Sequence, residues 1–520
     1  MGTNHTLEMP GLAELLGRCV DDRLDLGTAY GRYRPYWSTT SDFTALLDKL
    51  REYERVDGEQ RKNAMKDGMV IQPNLPPRRI WDLYSNRVCY WYTARPQWSS
   101  VCAVSHSWTD PSNRVEVYTP INEYKWRFPI PQDAALEHVR NELLNYGAEY
   151  AWLDVLCLRQ ADSQRPDQET RREVQWMTDV PTVGFVYQAA SKTLVYLNGL
   201  CCPIRLTSLD DTRHWLNRTW TLQELSNSPL FGGLTKDVTT QTDLSRLLET
   251  SRSRFPNNIP ASVLWEKVAA CMKLAQGGSS LFVVLDQMKQ RQAESDMDRI
   301  IVLARLLNPK PTKLPAYSIK EDLEDVWIRL VESMADPYRT ELFLLHPAAG
   351  RGRYLWMPSW KDVKISASRI RLDTVFAVKH TNVDYITVDG GNDKKIRFHG
   401  LVMQQCKVGG LGKVGYVDAG TSRNRSVYRT GTLTVKLIDG QKTGYKLEVV
   451  VQAYHQEKIP ETGKYNYTLV GTHDLHYWVV GRMMKDGRLE KVSVIRIEKP
   501  EHKEAIRKYK LARTTSLILI

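Results

Sequence analysis

The chain of 520 residues lacks the features that mark several specialised classes of protein. It contains no run of about 18 apolar residues, the length that a membrane-spanning helix needs. Its first residues show no basic stretch followed by an apolar one, so we expect no secretory signal and a cytoplasmic location. Charged residues make up 25% of the chain, which is typical of globular proteins and argues against general disorder. At about 150 residues per domain, the length predicts two to four domains.

Cysteine is scarce and scattered. The 8 cysteines form no C-x-x-C pair, and only Cys201 and Cys202 are neighbours. Since a zinc site needs paired Cys or His ligands at short spacing, we expect no metal and no resident cofactor. Without a secretory signal, the thiols are expected to be reduced. Gly2 and Thr6 fit the loose pattern for N-myristoylation, and this question stays open.

Acidic residues are in deficit only in the last third of the chain. Residues 361–520 hold 29 Lys and Arg against 16 Asp and Glu, which accounts for the whole formal net charge of +12. A basic β-rich domain could bind nucleic acid. The basic residues are spread rather than clustered, however, so a solvated surface is expected and nucleic acid is not an expected partner. The densest run, 503–513, reads as a terminal helix.

Changes in sequence pattern divide the chain into four predicted segments. The first is a polar helical lead, and the second alternates apolar strands with amphipathic helices, which favours an α/β domain around a parallel sheet. A helical extension follows. The last segment has short alternating runs between Gly, Asp and Asn turns, which favours an antiparallel β-rich domain. We therefore predict a multidomain α+β protein with boundaries at 1–75, 76–235, 236–350 and 351–520.

Three clusters in the α/β segment combine polar and aromatic residues. They read AVSHSW (103–108), WLDVLCLRQ (152–160) and RHWLNRTWTLQEL (213–225). The first two follow predicted strands, and the carboxyl ends of parallel strands are where open α/β sheets build their sites.

The third cluster predicts a helix over about 212–226. On that helix Trp215, Leu222 and Leu225 would face the core. The opposite face would carry one stripe of a stacking ring, a carboxylate and hydrogen-bond donors, namely Arg213, Asn217, Trp220 and Glu224. The alternative is a solvated helix face held by surface pairs.

These blocks carry a resemblance to a known family. AVSHSW, AWLDVLCLRQ followed by YQAA, and RHWLNRTWTLQEL resemble the three signature blocks of the fungal heterokaryon incompatibility (HET) domain. PRRIWDLYSNR, DMDRIIVLARLLNP and LWMPSW agree with its flanks, so the resemblance covers roughly residues 76–360. Two positions depart from the family pattern. Thr109 stands where Gly is usual, and Arg159 stands where Asn is usual.

The resemblance implies both a role and a site. HET domains act in fungal allorecognition and innate defence that end in programmed cell death, and they are similar to the flavodoxin-like TIR domain. TIR domains cleave the nicotinamide–ribose bond of NAD with a helix glutamate four residues after a tryptophan, a spacing that is matched here by Trp220 and Glu224. Glu224 is therefore the candidate catalytic carboxylate and NAD the possible substrate. Its candidate contacts are Ser105, Trp108, Asp154, Arg213, Asn217, Arg218 and Trp220.

Other interpretations remain open at this level. Asp154 could instead cap a loop. The α/β domain could act without catalysis, as a scaffold that self-associates or recruits other incompatibility or defence proteins. A hydrolase with Cys157 as nucleophile and His106 as base is a weaker alternative, because a cysteine in an apolar strand is more often a small core residue.

Overall fold

The computed structural model divides into two compact units, each with its own core. The first comprises Met1–Gly278 and Gln290–Asp322, and the second comprises Ser279–Lys289 and Leu323–Ile520. The residues that the structure describes are 7–108, 111–204, 214–225, 229–233, 259–277, 279–308, 311–346, 349–350, 353–366, 384–389, 395–416, 427–435, 445–452 and 466–520.

The α-helices of both units have the following bounds. In the first unit they are Leu12–Asp21, Leu26–Trp37, Phe43–Asn63, Trp91–Ala94, Leu136–Asn145, Asp154–Cys157, Glu169–Asp179, Val183–Ala189, Ile259–Ala275 and Asp296–Leu307. In the second unit they are Leu281–Lys289, Leu323–Ser333, Asp336–Leu345, Trp360–Ser366 and Pro500–Lys508. Within the described part of the chain, no helix combines the length and the apolar character that crossing a bilayer requires.

The strands are numbered in chain order. The first unit contains β1 Met65–Lys66, β2 Met69–Val70, β3 Arg79–Asp82, β4 Arg87–Tyr90, β5 Val101–His106, β6 Arg114–Val117, β7 Phe128–Pro131, β8 Tyr150–Leu153, β9 Lys192–Tyr196, β10 Pro229–Phe231 and β11 Leu314–Pro315. The second contains β12 Tyr385–Val388, β13 Ile396–Tyr416, β14 Val427–Val435, β15 Tyr445–Gln452, β16 Tyr467–Gly471, β17 Tyr477–Met483, β18 Arg488–Arg496 and β19 Arg513–Leu519.

The first unit is built around a mixed six-stranded sheet of order β10-β9-β5-β8-β3-β4. The four strands from β10 to β8 pair in parallel, as the alternation of strands and helices predicts. The hairpin β3–β4 completes the sheet with antiparallel pairing. Every residue of β5 and β8 is buried, which explains why β8 and the first four residues of β5 read as continuous apolar runs. The α/β character of this unit is confirmed, while a flavodoxin-like or TIR-like sheet stays a prediction.

Helices beside this sheet form where apolar residues recur at helical spacing. In Leu136–Asn145 the buried side chains are Leu136, Val139 and Leu143, one stripe that packs into the core below the sheet. The apolar run 150–157 predicts one strand, but the observed strand is shorter. β8 ends at Leu153, and Asp154 begins a single helical turn in which its carboxylate accepts the backbone N–H of Val155 at 2.7 Å.

The second unit holds an eight-stranded sheet, which confirms the β-rich character of the C-terminal region. Its central strands follow the order β13-β14-β15-β18-β17-β16, and β13 also pairs with β16, so the pairings form a closed ring. The predicted terminal helix at 503–513 was only partly right. The helix runs from Pro500 to Lys508, and the chain then enters strand β19, which pairs with β13.

Candidate functional site

A cavity of about 330 Å³ opens at the carboxyl ends of β5 and β8. This size falls within the range of small-molecule sites, and the position is where open α/β sheets bind ligands. Its walls are aromatic and aliphatic with a few charged groups. They consist of His106, Trp108, Arg114, Trp152, Asp154, Leu158, Gln160, Trp176, Val180, Val183, Tyr187, Arg218, Trp220, Thr221, Glu224, Glu294, Asp298 and Tyr317.

Glu224 is held in the cavity wall by a short chain of hydrogen bonds. The hydroxyl of Ser105, the penultimate residue of β5, donates to Glu224 Oε2 at 2.6 Å. The same hydroxyl accepts the indole N–H of Trp215 at 2.6 Å. Ser105 and Trp215 are fully buried, and neither is a cavity-lining residue. Because the Trp215 donor orients the Ser105 proton toward the carboxylate, this chain fixes one oxygen of Glu224 from behind.

The environment of Glu224 raises the pKa of its carboxyl group to about 7. Burial is the main cause, because a carboxylate loses its water there, and the negative charge of Asp154 adds to it. The Ser105 hydrogen bond and the positive charges of His106 and Arg218 act in the opposite direction. Glu224 therefore changes its ionisation close to neutral pH, as a group that exchanges protons or stabilises developing charge would.

His106 and Asp154 form an ion pair beside Glu224. His106 Nε2 lies 2.8 Å from Asp154 Oδ1, and His106 Nδ1 lies 3.3 Å from the carbonyl of Ser107. Burial lowers the pKa of His106, but the charge and hydrogen bond of Asp154 outweigh it and leave that pKa raised. Burial likewise raises the pKa of Asp154, yet the His106 charge leaves it lowered. Asp154 and Glu224, two of the four acidic groups that line the cavity, thus differ, since the pKa of Asp154 is lowered and that of Glu224 is raised.

The chain segment that carries Glu224 is not the predicted helix. It consists of two short 3₁₀ turns, Trp215–Asn217 and Trp220–Gln223, separated by Arg218, whose backbone is extended, and Thr219. A continuous helix would place Trp215 and Glu224 on opposite faces, whereas the observed turns bring both to Ser105. Trp215, Leu222 and Leu225 nevertheless enter the core, as the helix prediction expected.

Residues 290–298 hold these turns in place. Arg218 and Gln292 form an isolated parallel bridge, in which the N–H of Gln292 donates to Asn217 O at 2.6 Å and the N–H of Thr219 donates to Gln292 O at 2.8 Å. The hydroxyl of Thr221 also donates to two carbonyls of the segment, those of Trp215 at 2.8 Å and Arg218 at 2.7 Å. These bonds replace the regular helical ladder.

Aromatic rings form the remaining walls. Trp108 lies parallel to the His106 ring, with the centroids 6.3 Å apart, and the guanidinium of Arg114 covers it at 5.0 Å. The side chain of Trp220 hydrogen-bonds to Asp298, which also accepts the hydroxyl of Tyr317 at 2.9 Å. These contacts fix the rings, so the cavity offers flat surfaces on which a planar group can stack.

The structure brings together five of the predicted site residues as cavity-lining groups: Trp108, Asp154, Arg218, Trp220 and Glu224. Arg218 pairs there with Glu294 at 3.0 Å. Ser105 contacts Glu224 rather than the cavity, and Asn217 is not a cavity-lining residue. Arg213 and Thr109 lie outside the described residues.

The Cys157–His106 pair of the hydrolase alternative is not formed. His106 contacts Asp154, while the thiol of Cys157 is buried and its pKa is raised to about 12 by that burial. A thiol of such high pKa carries almost no thiolate at neutral pH.

The part of the cavity wall that residues 294–317 contribute was not predicted from the sequence. Glu294, Asp298 and Tyr317 come from a region read only as helical, although Asp298 lies in a flank that the family resemblance had already included. The signal available was the Ser295-x-x-Asp298 spacing, which forms a capping box at the start of Asp296–Leu307. Among the described residues, no group of three or more His, Cys, Asp or Glu side chains is arranged to hold a metal ion.

Comparison with protein families gives a match to part of the chain. Residues 102–201 match the family model described as heterokaryon incompatibility protein (HET). Comparison with curated proteins and comparison with solved structures give no match. The matched segment begins within β5 and ends after β9, so it contains the His106–Asp154 pair and stops before Glu224.

Proposed function

We propose that this chain, whose residues 102–201 form a HET domain, acts in heterokaryon incompatibility and cell death by cleaving NAD at its nicotinamide–ribose bond. The observation that carries the proposal is the environment of Glu224. This buried carboxyl group, with a pKa of about 7, is fixed by Ser105 at the wall of an aromatic cavity. The resemblance of Trp220 and Glu224 to the TIR motif, and a TIR-like sheet for this domain, belong to the same proposal.

The chemistry requires little beyond one carboxylate. As the bond between ribose C1′ and the nicotinamide nitrogen breaks, its electron pair returns to the pyridine ring, which leaves as neutral nicotinamide. Positive charge develops on the ribose ring, and the ionised Glu224 stabilises it in a site with little water. Water then adds to C1′ and its proton passes to the Glu224 carboxylate, so the products are nicotinamide, ADP-ribose and one proton.

The other wall residues have roles that fit this substrate. Trp108 and Trp220 supply rings against which nicotinamide can stack. Asp154 stays negative and can pair with the positive charge of the nicotinamide ring in the intact substrate. Arg218, although paired with Glu294, is the cation nearest to Glu224 in sequence and can contact a phosphate at the mouth of the site.

The test is nicotinamide release by the full chain, measured by chromatography at high protein concentration with NAD. We expect Glu224→Gln to lower the rate at least about a hundredfold, because the amide retains the Ser105 contact but cannot carry charge. Glu137→Gln, on an exposed position of the helix Leu136–Asn145, is the matched control and should leave the rate unchanged. The wild-type rate should rise as pH increases through about 7, where Glu224 ionises.

The competing function is a scaffold without catalysis, in which the α/β domain self-associates or recruits other incompatibility proteins. The two are separated by combining the enzymatic assay with an assay of cell death. If the wild type releases no nicotinamide and Glu224→Gln kills cells as well as the wild type does, the catalytic proposal is wrong and the scaffold stands.

A further inference from the structure

The hairpin β6–β7, whose first residue Arg114 lines the cavity, carries an aromatic and basic surface that Arg165 completes through its contact with Tyr118. We call this surface the hairpin rim and define it as Tyr118, Tyr124, Arg127 and Arg165. Arg114, the first residue of β6, lines the cavity, and the remaining three residues of β6 lead to Tyr118 over about 13 Å. The rim therefore begins one strand length from Arg114 in the cavity wall.

Two guanidinium groups of the rim are held on one tyrosine. Arg127 and Arg165 lie over the Tyr118 ring at 5.6 Å and 5.5 Å, and Arg165 also donates to the Tyr118 hydroxyl. Among the described residues, neither guanidinium has a carboxylate partner. The nearby Asp162 accepts backbone N–H groups of Arg127, at 3.4 Å, and of Gln164, at 3.0 Å. Stacked guanidiniums that lack a carboxylate are suited to phosphate oxygens.

Positive charge also accumulates behind the rim. Arg159 is only 5% exposed, and its Nε has no hydrogen-bond partner in the described part of the chain. Burial, together with repulsion from Arg79, Arg171 and Arg165, lowers the pKa of Arg159 to about 10. An uncompensated group of this kind favours the approach of an anion to the adjoining surface.

Tyr124 provides an exposed ring beside these arginines. Its side chain is 46% exposed, and its ring centroid is 5.2 Å from that of Tyr118. Tyr124 and the preceding Glu123 both have a left-handed backbone, with φ of 54° and 55°. That conformation is unfavourable for a bulky aromatic residue, and backbone strain of this kind gathers at ligand-binding positions. Glu123 itself is neutralised by Lys125 at 2.7 Å.

We propose that the hairpin rim binds the ADP part of a dinucleotide, with Arg127 and Arg165 on the pyrophosphate and Tyr124 stacked on the adenine. This inference rests on the proposed function for the position of the nicotinamide, and it adds the reason for preferring a dinucleotide to a mononucleotide. The cavity of about 330 Å³ binds the nicotinamide and its ribose, and the rim binds the pyrophosphate and adenosine that extend beyond the cavity. Tyr118 is a positioning residue that holds both guanidiniums.

Tyr124→Asn is the sharpest variant, because asparagine tolerates the left-handed backbone while the ring is lost. We expect it to weaken ADP-ribose binding, measured by calorimetry on the full chain, about tenfold or more. The KM for NAD should rise by a similar factor, with kcat unchanged and no loss of melting temperature. Hydrolysis of nicotinamide mononucleotide, which has no adenosine, should be unaffected.

The arginines are tested with Arg165→Gln, which should also weaken ADP-ribose binding and reduce its dependence on salt. The matched control is Tyr509→Asn, at an equally exposed tyrosine of the second unit, which should change none of these quantities. A Tyr124→Asn protein that binds ADP-ribose as the wild type does, or that loses NAD and mononucleotide hydrolysis equally, would overturn the rim proposal.

Failure of the rim proposal can be distinguished from failure of the proposed function. If the wild type releases nicotinamide from neither substrate, the catalytic proposal is wrong, and the rim is then decided by ADP-ribose binding alone. Binding that is weakened by Tyr124→Asn supports the rim in that case, and absence of binding to the wild type overturns it.

Discussion

At the residue scale, Glu224 illustrates how burial of one carboxyl group raises its pKa and lowers the stability of the fold at neutral pH. Its pKa is raised because its charge is poorly solvated, although the hydroxyl of Ser105 donates a hydrogen bond to it. Asp154, which directly follows β8, has a lowered pKa because the positive charge of His106 compensates its negative charge. The difference between the two acids lies in their neighbours and not in their residue type.

The raised pKa of Glu224 predicts how the free energy of unfolding depends on pH. An acid whose pKa is higher in the folded protein destabilises the fold as pH rises above its ordinary value of 4.5, and the penalty is complete above about 7. We therefore expect Glu224→Gln to raise the free energy of unfolding by about 3 kcal/mol at pH 8, from the conversion of 1.36 kcal/mol per pKa unit. At pH 4.5 the gain should be close to zero.

The measurement is denaturant unfolding of wild type and variant at both pH values, with Glu137→Gln as the exposed control. An equal stability change at pH 4.5 and pH 8 would contradict the assignment, because an effect of shape or packing does not depend on the ionisation of Glu224.

At the scale of elements, the two 3₁₀ turns of 215–223 matter more than any regular helix or strand. They bring the Trp215 indole and the Glu224 carboxylate to the Ser105 hydroxyl. They depend on side-chain hydrogen bonds because they lack the regular backbone hydrogen bonds of an α-helix. Thr221 is central to this arrangement, since its hydroxyl reaches two carbonyls of the segment.

Two buried threonines two positions apart provide a matched test. Thr221→Val removes a hydroxyl that makes these bonds, so we expect a loss of about 1–3 kcal/mol in the free energy of unfolding. Thr219→Val removes a buried hydroxyl that, among the described residues, has no hydrogen-bond partner, and it should cost little. Hydrogen exchange of the amides in 214–225 should accelerate only in the Thr221 variant. Equal costs for the two variants would show that the hydroxyl bonds do not hold the turns.

At the scale of the whole molecule, the excess positive charge and the candidate site lie in different parts of the chain. The positive excess lies in residues 361–520, whereas the cavity and the hairpin rim belong to the first unit. In the second unit, several basic groups are already engaged. Arg488 pairs with Asp486, Arg496 pairs with Glu498, and Lys491 is buried with its ammonium group donating to the carbonyl of Phe343 at 2.6 Å.

This distribution predicts weak binding to nucleic acid. We expect fluorescence anisotropy of a labelled duplex with the full chain to show no tight complex at about 0.15 M salt, because spread and paired charges release few counterions. A tight complex whose affinity falls steeply between low and high salt would contradict this and identify the second unit as a nucleic-acid-binding module.

The sequence by itself determined the elements whose pattern is strong and local. Alternating apolar runs and helices predicted the α/β sheet, and the recurrent short strands predicted the β-rich C-terminal region. Trp215, Leu222 and Leu225 were also correctly assigned to the core. In these cases the spacing of apolar residues along the chain indicates which face is buried, so the pattern can be recognised without knowledge of its packing partners. The motif blocks predicted the resemblance to the HET family, whose model matches residues 102–201.

Only the tertiary structure decided how the site is assembled. The predicted helix over 212–226 was wrong because contacts with Ser105 and Gln292, which are distant in sequence from this segment, override local propensity. Asp298 and Tyr317 joined the cavity for the same reason, and so did the contrast between Glu224 and Asp154. A pKa depends on burial and on neighbouring charges, and both are properties of packing across the fold that no spacing along the chain encodes.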